Sequence, residues 1–412
     1  MSIYLSEEKA SKNISINVHM KILMVISQFH PIIGGAEKQA QVLSKKLVEK
    51  EVVVNLVTGW WKFGTPRKET IDGIKVFRNF CGWGMLGIGK HRTIRMMGGI
   101  IYAISLGAYL FFHGREYDVI HVHQFLYPAF VSLLIGKGIL KKPVIVKSAS
   151  SGSTSDIQRL RMLPSGHIQL KFLLKELDHL VAVSEATGED FKQTRYPESR
   201  ISYIPNGVDV PMQGKTEYHQ VSQVITITRF SEEKGVDVLL KAWAEVVRDE
   251  KSLKLLIVGS GPLGPELRRL SHSLGVAGSV DFVGSIQDAT KYLKRSDLFV
   301  LSSRSEGMSN ALLEAMGYGI PCIATRVGGN SELLGEHEGI PIEGYSLARN
   351  GLLVNSDDVK GLSKAILYFI RNVRVREEVG RRARKFIQEN YSIDLVAERY
   401  ISLYQSILTK KL

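Results

Sequence analysis

Glu306 and Glu314 stand with seven residues between them in the stretch SEGMSNALLEAMGYG. Glycine, serine and asparagine follow the first, and a helical apolar pattern leads into the second. Ser309, Asn310 and the opening amides of that helix are placed to face an anion, because the first turn leaves its N–H groups unpaired and partly positive. Glu314, about two turns further along, reaches towards a group rich in hydroxyls. An anion beside hydroxyls is the outline of a sugar nucleotide.

A sheet must position such a loop, and the chain reads as two rounds of one architecture. KILMVIS (Lys21 to Ser27) is an apolar run of strand length, followed by a glycine turn at Gly34 and Gly35 and a helical pattern from Glu37 to Glu49. VVVNLVTG, IKVFRNF, YDVIHVH, VIVKSAS and LVAVSEA continue the alternation. After IPNGVDV (Ile204 to Val210) the pattern restarts with VITITRF, LKLLIVGSGP, VDFVGS, DLFVLSS, PCIATRV and GLLVN. Strands interleaved with helices predict an α/β fold of two doubly wound parallel sheets facing each other. The turn formers Pro205 to Gly207 mark the boundary. The expected division is a flexible extension over 1–20, one domain over 21–205, a second over 206–393, and a last helix, about 394–412, able to pack back on the first.

At 412 residues the chain exceeds what one core usually covers, and 44% apolar with 23% charged residues excludes a disordered chain. Cys81 and Cys322 make neither a metal spacing nor a disulfide framework, which points to a reducing cytoplasm. The first 20 residues lack the apolar stretch of a secretory signal.

Residues 1–205 hold 27 basic and 16 acidic residues, hence +11 of the total +13. Clusters at Lys90, Arg92 and Arg95, at Lys137, Lys141 and Lys142, and at Arg159 and Arg161 lie beside apolar residues. Besides a solvated basic face, that arrangement suits an anionic membrane surface or a polyanionic or lipid-phosphate acceptor. No recognisable binding module accompanies the charge, so nucleic acid is not an expected partner. GIIYAISLGAYLFF, Gly99 to Phe112, is 14 residues long, short of the roughly 20 that cross a bilayer. It reads as a buried or an interfacial helix, with no transmembrane anchor expected.

Taken with GGAE at Gly34 to Glu37, HVH at His121 to His123, IPNGVD at Ile204 to Asp209, Arg229, Lys234 with Gly235, VGSGP at Val258 to Pro262 and FVG at Phe282 to Gly284, the glutamate pair completes a set. In order and spacing the chain resembles the retaining glycosyltransferases of family 4, from about Lys21 to the C terminus. The resemblance implies the GT-B fold, two Rossmann-like domains across a cleft, with the donor chiefly on the second domain and the acceptor on the first.

A nucleoside diphosphate leaving a sugar gathers negative charge, so cations and oriented amides belong where it develops. Arg229, at a strand end, and Lys234, at the next helix start, suit the two phosphates. Their bland alternative is surface pairing with Glu232 or Glu233. Gly34 and Gly35 let the backbone approach phosphate or the reacting carbon. The resemblance places Glu314 on the ribose hydroxyls, Glu306 near the transferred sugar, and Ser309 and Asn310 towards the diphosphate. His121 and His123 share a strand face; the resemblance puts His123 near donor sugar and acceptor and leaves His121 structural, and the pair lacks further ligands for a metal.

No Asp-x-Asp occurs in the chain, so charge stabilisation without a metal or other cofactor is expected. Three features depart from the family pattern: Thr228 precedes the arginine in place of glycine, Met308, Ser309 and Asn310 replace phenylalanine and glycine, and the connection Gly335 to Gly351 is longer. The expected activity is transfer of a hexosyl unit from a nucleotide sugar, a UDP-sugar, to a carbohydrate or lipid-linked acceptor in cell-surface polysaccharide or glycolipid synthesis. The enzyme is expected to be cytoplasmic, with the inner membrane face as a possible surface. The alternatives are a nucleotide-sugar epimerase of related fold and a non-catalytic nucleotide-sugar-binding protein.

Overall fold

Continuous Val, Ile and Leu runs have no polar face to turn to water, so they fold as parallel strands covered on both sides. The computed structural model describes residues 20–32, 34–82, 92–163, 165–335 and 344–410. The expected extension therefore lies outside the described residues up to position 19. So do Lys90 and the middle of the Gly335 to Gly351 connection.

Strands β1 (Lys21–Val25), β2 (Val53–Gly59), β3 (Lys68–Ile71), β4 (Ile74–Asn79), β5 (Val119–Val122), β6 (Val144–Ser148), β7 (His179–Ala182) and β8 (Ile201–Tyr203) form an eight-stranded sheet ordered β3-β4-β2-β1-β5-β6-β7-β8. A second, seven-stranded sheet contains β9 (Gln223–Ile227), β10 (Lys254–Val258), β11 (Val280–Gly284), β12 (Leu298–Leu301), β13 (Cys322–Thr325), β14 (Tyr345–Ala348) and β15 (Gly351–Val354). Its order is β11-β10-β9-β12-β13-β15-β14. Pairing is parallel throughout except at β3–β4 and β14–β15, each at an edge.

Helices α1 (Gly35–Glu49), α2 (Arg92–His113), α3 (Tyr127–Val131), α4 (Asp156–Arg161), α5 (Gly166–Glu176) and α6 (Glu185–Lys192) cover the first sheet. A π-helical stretch, Ser132–Ile139, continues α3. The second sheet is dressed by α7 (Val236–Asp249), α8 (Gly264–Ser273), α9 (Thr290–Leu293), α10 (Asn310–Gly317), α11 (Asn330–Leu334), α12 (Val359–Arg371) and α13 (Val373–Asn390), after which α14 (Ile393–Thr409) ends the described chain.

Alternation along β1 shows how the layers are made. Ile22 and Met24 join Ala40 and Leu43 of α1 and Val396, Tyr400 and Tyr404 of α14 in one core, while Leu23 and Val25 join Tyr102, Leu106 and Leu110 of α2 in another. Each fully buried aliphatic side chain contributes about 1.5–3 kcal/mol. The last helix thus lies on the first sheet. Its approach follows from the two strand-like connections between domains, which run side by side: the Val208 N–H donates to the Tyr391 carbonyl at 2.9 Å and the Ile393 N–H to the Val208 carbonyl at 2.9 Å. Gln39 of α1 clamps the first connection, donating to the Gly207 carbonyl at 2.8 Å and accepting from its N–H at 3.1 Å.

The apolar run Gly99 to Phe112 belongs to a longer element than its 14 residues. It lies inside a 22-residue helix, and Met97–Glu116 is long and apolar enough to cross a membrane by length and composition. Tyr102, Leu106 and Leu110 are packed in the core, whereas Met97, Ile100, Ile104, Phe111 and Phe112 are exposed. The helix is therefore buried along one edge and exposed along the other.

Candidate active site between the two sheets

In open α/β sheets, ligands bind beyond the carboxyl ends of the strands where the winding reverses. The orders put that reversal between β1 and β5 in the first sheet and between β9 and β12 in the second. Gly34 and Gly35 follow β1 and His123 follows β5; Arg229 follows β9 and the Glu306 loop follows β12. The two reversals share one cleft of about 530 Å³, within the range that encloses small ligands. Gly34, Gly35, His123, Arg229, Lys234, Glu306, Ser309, Asn310 and Glu314 all line it.

On the second-domain wall each cation meets a carboxylate. Arg229 Nη2 lies 2.6 Å from Glu233 Oε1, which is the surface pairing weighed above, although Arg229 also lines the cleft. Burial pushes the Glu233 carboxyl up, but hydrogen bonds from Ser231 and Arg229 outweigh it and hold it at about 2. Lys234 Nζ donates to Glu306 Oε1 at 2.7 Å, and the Ser303 hydroxyl donates to the same oxygen at 2.8 Å. Gly235 makes this possible. At φ +60° it ends the turn carrying Lys234, and a Cβ there would fall 2.1 Å from the Ser302 carbonyl oxygen. Ser309 caps α10 by accepting from the Leu312 N–H at 3.3 Å, aiming the helix start at the cleft.

Contacts between the domains close the cleft's sides. Asn310 donates to the Gly35 carbonyl at 2.9 Å and accepts from Asn206 at 2.9 Å, so its side chain clasps the domains as well as lining the cleft. Lys38 of α1 donates to Glu314 Oε1 at 2.7 Å. Ser305 donates to the Ser151 carbonyl at 2.9 Å, and Gly307 lies so near the first domain that a Cβ would sit 2.1 Å from the Ala149 carbonyl oxygen.

The first-domain wall is less paired. His121 and His123 stack with ring centroids 4.4 Å apart, and His121 Nδ1 lies 2.7 Å from the Tyr404 hydroxyl. Burial drives His121 down to about 3 and His123 well below the usual histidine range, with Lys147 adding to both shifts and His121 adding to that of His123. Lys147 of β6, 3% exposed, is pulled by burial down to about 7. Burial raises Asp156, against hydrogen bonds from Ser148 and Ser150. Glu37 is likewise raised by burial; its own N–H and that of Gly34 pull it back, as does the positive charge of Arg229.

Lys147, Lys38, Gln124 and Asn206 line the cleft without having stood among the expected site residues. Lys147 had a signal, a lysine inside the apolar run VIVKSAS at a strand's carboxyl end. Asn206 sat within a motif read as a turn. Lys38 and Gln124 carry none. Among the described residues no group of three or more His, Cys, Asp or Glu forms a metal cluster.

Two facing doubly wound sheets with one cleft between their winding reversals define a GT-B protein. Residues 33–211 match the family profile described as Glycosyltransferase Family 4, and residues 222–372 match that of Glycosyl transferases group 1. The chain belongs to glycosyltransferase family 4. It is 26% identical over 301 residues to the N-acetyl-alpha-D-glucosaminyl L-malate synthase of Bacillus anthracis, covering 71% of this chain and 75% of that protein. Among solved structures, sucrose-phosphate synthase from Thermosynechococcus elongatus superposes with a TM-score of 0.75 at 20% identity, covering 95% of this chain and 100% of that one. HepE of Anabaena, solved in complex with UDP, does so at 0.70 and 19% identity, covering 94% and 100%.

Proposed function

We propose that this glycosyltransferase moves a hexosyl unit from a UDP-sugar to a carbohydrate or lipid-linked acceptor, with retention at the anomeric carbon and without a metal. One observation carries the reading: Arg229, Lys234 and the start of α10 line the same cleft as Gly34, Gly35 and His123. Arg229 and Lys234 take the two phosphates, exchanging carboxylate partners for the diphosphate, and Ser309, Asn310 and the helix start add oriented donors as negative charge grows there. Glu314 accepts from the ribose hydroxyls, while Glu306 and His123 flank the transferred sugar. The acceptor enters along the first domain, and closure excludes the water that would intercept the sugar. UDP as the ligand of HepE and the glucosaminyl transfer in the name of the Bacillus relative support this donor class.

The reading extends to location. Cys81 and Cys322 are buried and not joined in a disulfide, in keeping with a reducing cytoplasm. Met97, Ile100, Ile104 and Phe111, at i, i+3, i+7 and i+14, form an exposed stripe on α2, joined by Leu134, Ile139, Met162 and Ile168. Lys141, Arg161, Lys171 and Lys175 are exposed in the neighbouring segments, whereas Lys137 is paired with Asp178 at 2.9 Å. We assign this ridge to the anionic inner face of the membrane.

A panel of UDP-glucose, UDP-N-acetylglucosamine, UDP-galactose and GDP-mannose, tested for protection against thermal unfolding, picks out the donor. Incubation with that donor then decides the reaction. Transfer with an α-linked donor yielding an α-linked product supports the reading, an epimerised sugar from donor alone supports the epimerase, and an inert donor supports a binding protein. Turnover lost to excess chelator and restored by magnesium or manganese would refute metal independence.

A further inference from the structure

Lys147 differs from three other cations of the cleft. Lys38, Arg229 and Lys234 each hold a carboxylate. The side chain of Lys147, though almost wholly buried, has no hydrogen bond or ion pair to any described residue. The register Val122↔Val146 sets it beside His123 at the sheet's carboxyl edge, where it lines the cleft. Its surroundings are neutral: His121 and His123 are uncharged at pH 7, and the Tyr400 ring centroid is 5.8 Å away. Asp156 also lines the cleft, but its two oxygens accept from Ser148 and Ser150.

A buried ammonium with a ring face but no anion beside it is costly, and an apolar residue of similar length would fill the space at less cost. Its presence makes sense where a negative group from outside completes the pair. Arg159 of α4, exposed on the same wall, acts electrostatically on Asp156 and adds a second positive charge. We propose that Lys147 receives an anionic oxygen group, a carboxylate or a phosphate, carried by the substrate against the first-domain wall. The proposal rests on the nucleotide-sugar reading and deepens it: either the transferred sugar or the acceptor is acidic.

Titration calorimetry on the full chain, Lys147→Met and Lys147→Arg separates these sources. One arm compares UDP-glucuronate with UDP-glucose. The other compares glucuronate and glucose 6-phosphate with glucose, each at saturating UDP. The expected result is that in one arm the anionic probe binds at least about tenfold more tightly than its neutral counterpart. Its binding takes up about one proton at pH 8, because the incoming charge restores the ammonium. Both effects vanish in Lys147→Met, and the preference persists in Lys147→Arg. A preference that survives in Lys147→Met, or none in either arm while UDP binds, overturns the proposal. Failure of the unaltered protein to bind UDP is a separate result, which overturns the donor reading and this inference with it.

Discussion

At the scale of single residues, the cleft's second wall holds its charges in mutual pairs. A diphosphate reaching Arg229 competes with one carboxylate, Glu233, and one reaching Lys234 competes with another, Glu306. Under the proposed function both cations then act on charge that peaks in the transition state. Arg229→Ala and Lys234→Ala are each expected to lower turnover by about 10²–10³ while leaving the unfolding temperature nearly unchanged. Equal turnover in either variant would remove that residue from the machinery. Glu314→Gln is expected to weaken UDP binding about tenfold by calorimetry, since a neutral amide accepts less strongly from hydroxyls. Lys147 gives a pH signature. Its folded pKa, about 7, lies below the ordinary lysine value, so between the two the unfolded chain binds more protons and stability rises with pH. Urea unfolding should show unaltered protein gaining on Lys147→Met from pH 7 to pH 10, by at most about 1.4 kcal/mol per unit. A constant difference would contradict the assignment.

At the scale of elements, α14 is held by more than apolar area. Tyr404 lies against His121 at 2.7 Å, and the other ring nitrogen of His121 has no partner. Tyr404→Phe should therefore strand the imidazole and cost about 1–3 kcal/mol in denaturant unfolding; a neutral effect would mean the ring finds another partner. The parallel strands of both sheets, β8 excepted, were legible because apolar runs of strand length alternate with helical patterns. The strands that escaped, β3 (KETI), β8 (ISY) and β14 (YSLA), are edges of three or four residues that mix polar and apolar types. The glutamate loop was legible because glycine, serine and asparagine before a helix have a local meaning. The bond from Asn310 to Gly35 was not, since 275 positions separate them and only docking brings them together.

At the scale of the whole molecule, the charge excess of the first half and the apolar ridge of α2 occur in one domain. Sedimentation with vesicles containing phosphatidylglycerol should carry the protein down at low salt, and Ile104→Glu with Phe111→Glu should reduce the bound fraction about tenfold or more without altering donor hydrolysis. Equal binding of the double variant would move the membrane contact elsewhere. The paired crossing at Val208 and Ser392 has a mechanical corollary. Two covalent tethers fastened along one edge permit the halves to swing apart like covers on a spine, but resist sliding and twisting. A protease that nicks either tether alone would leave the halves joined by the other, with that single axis of rotation lost.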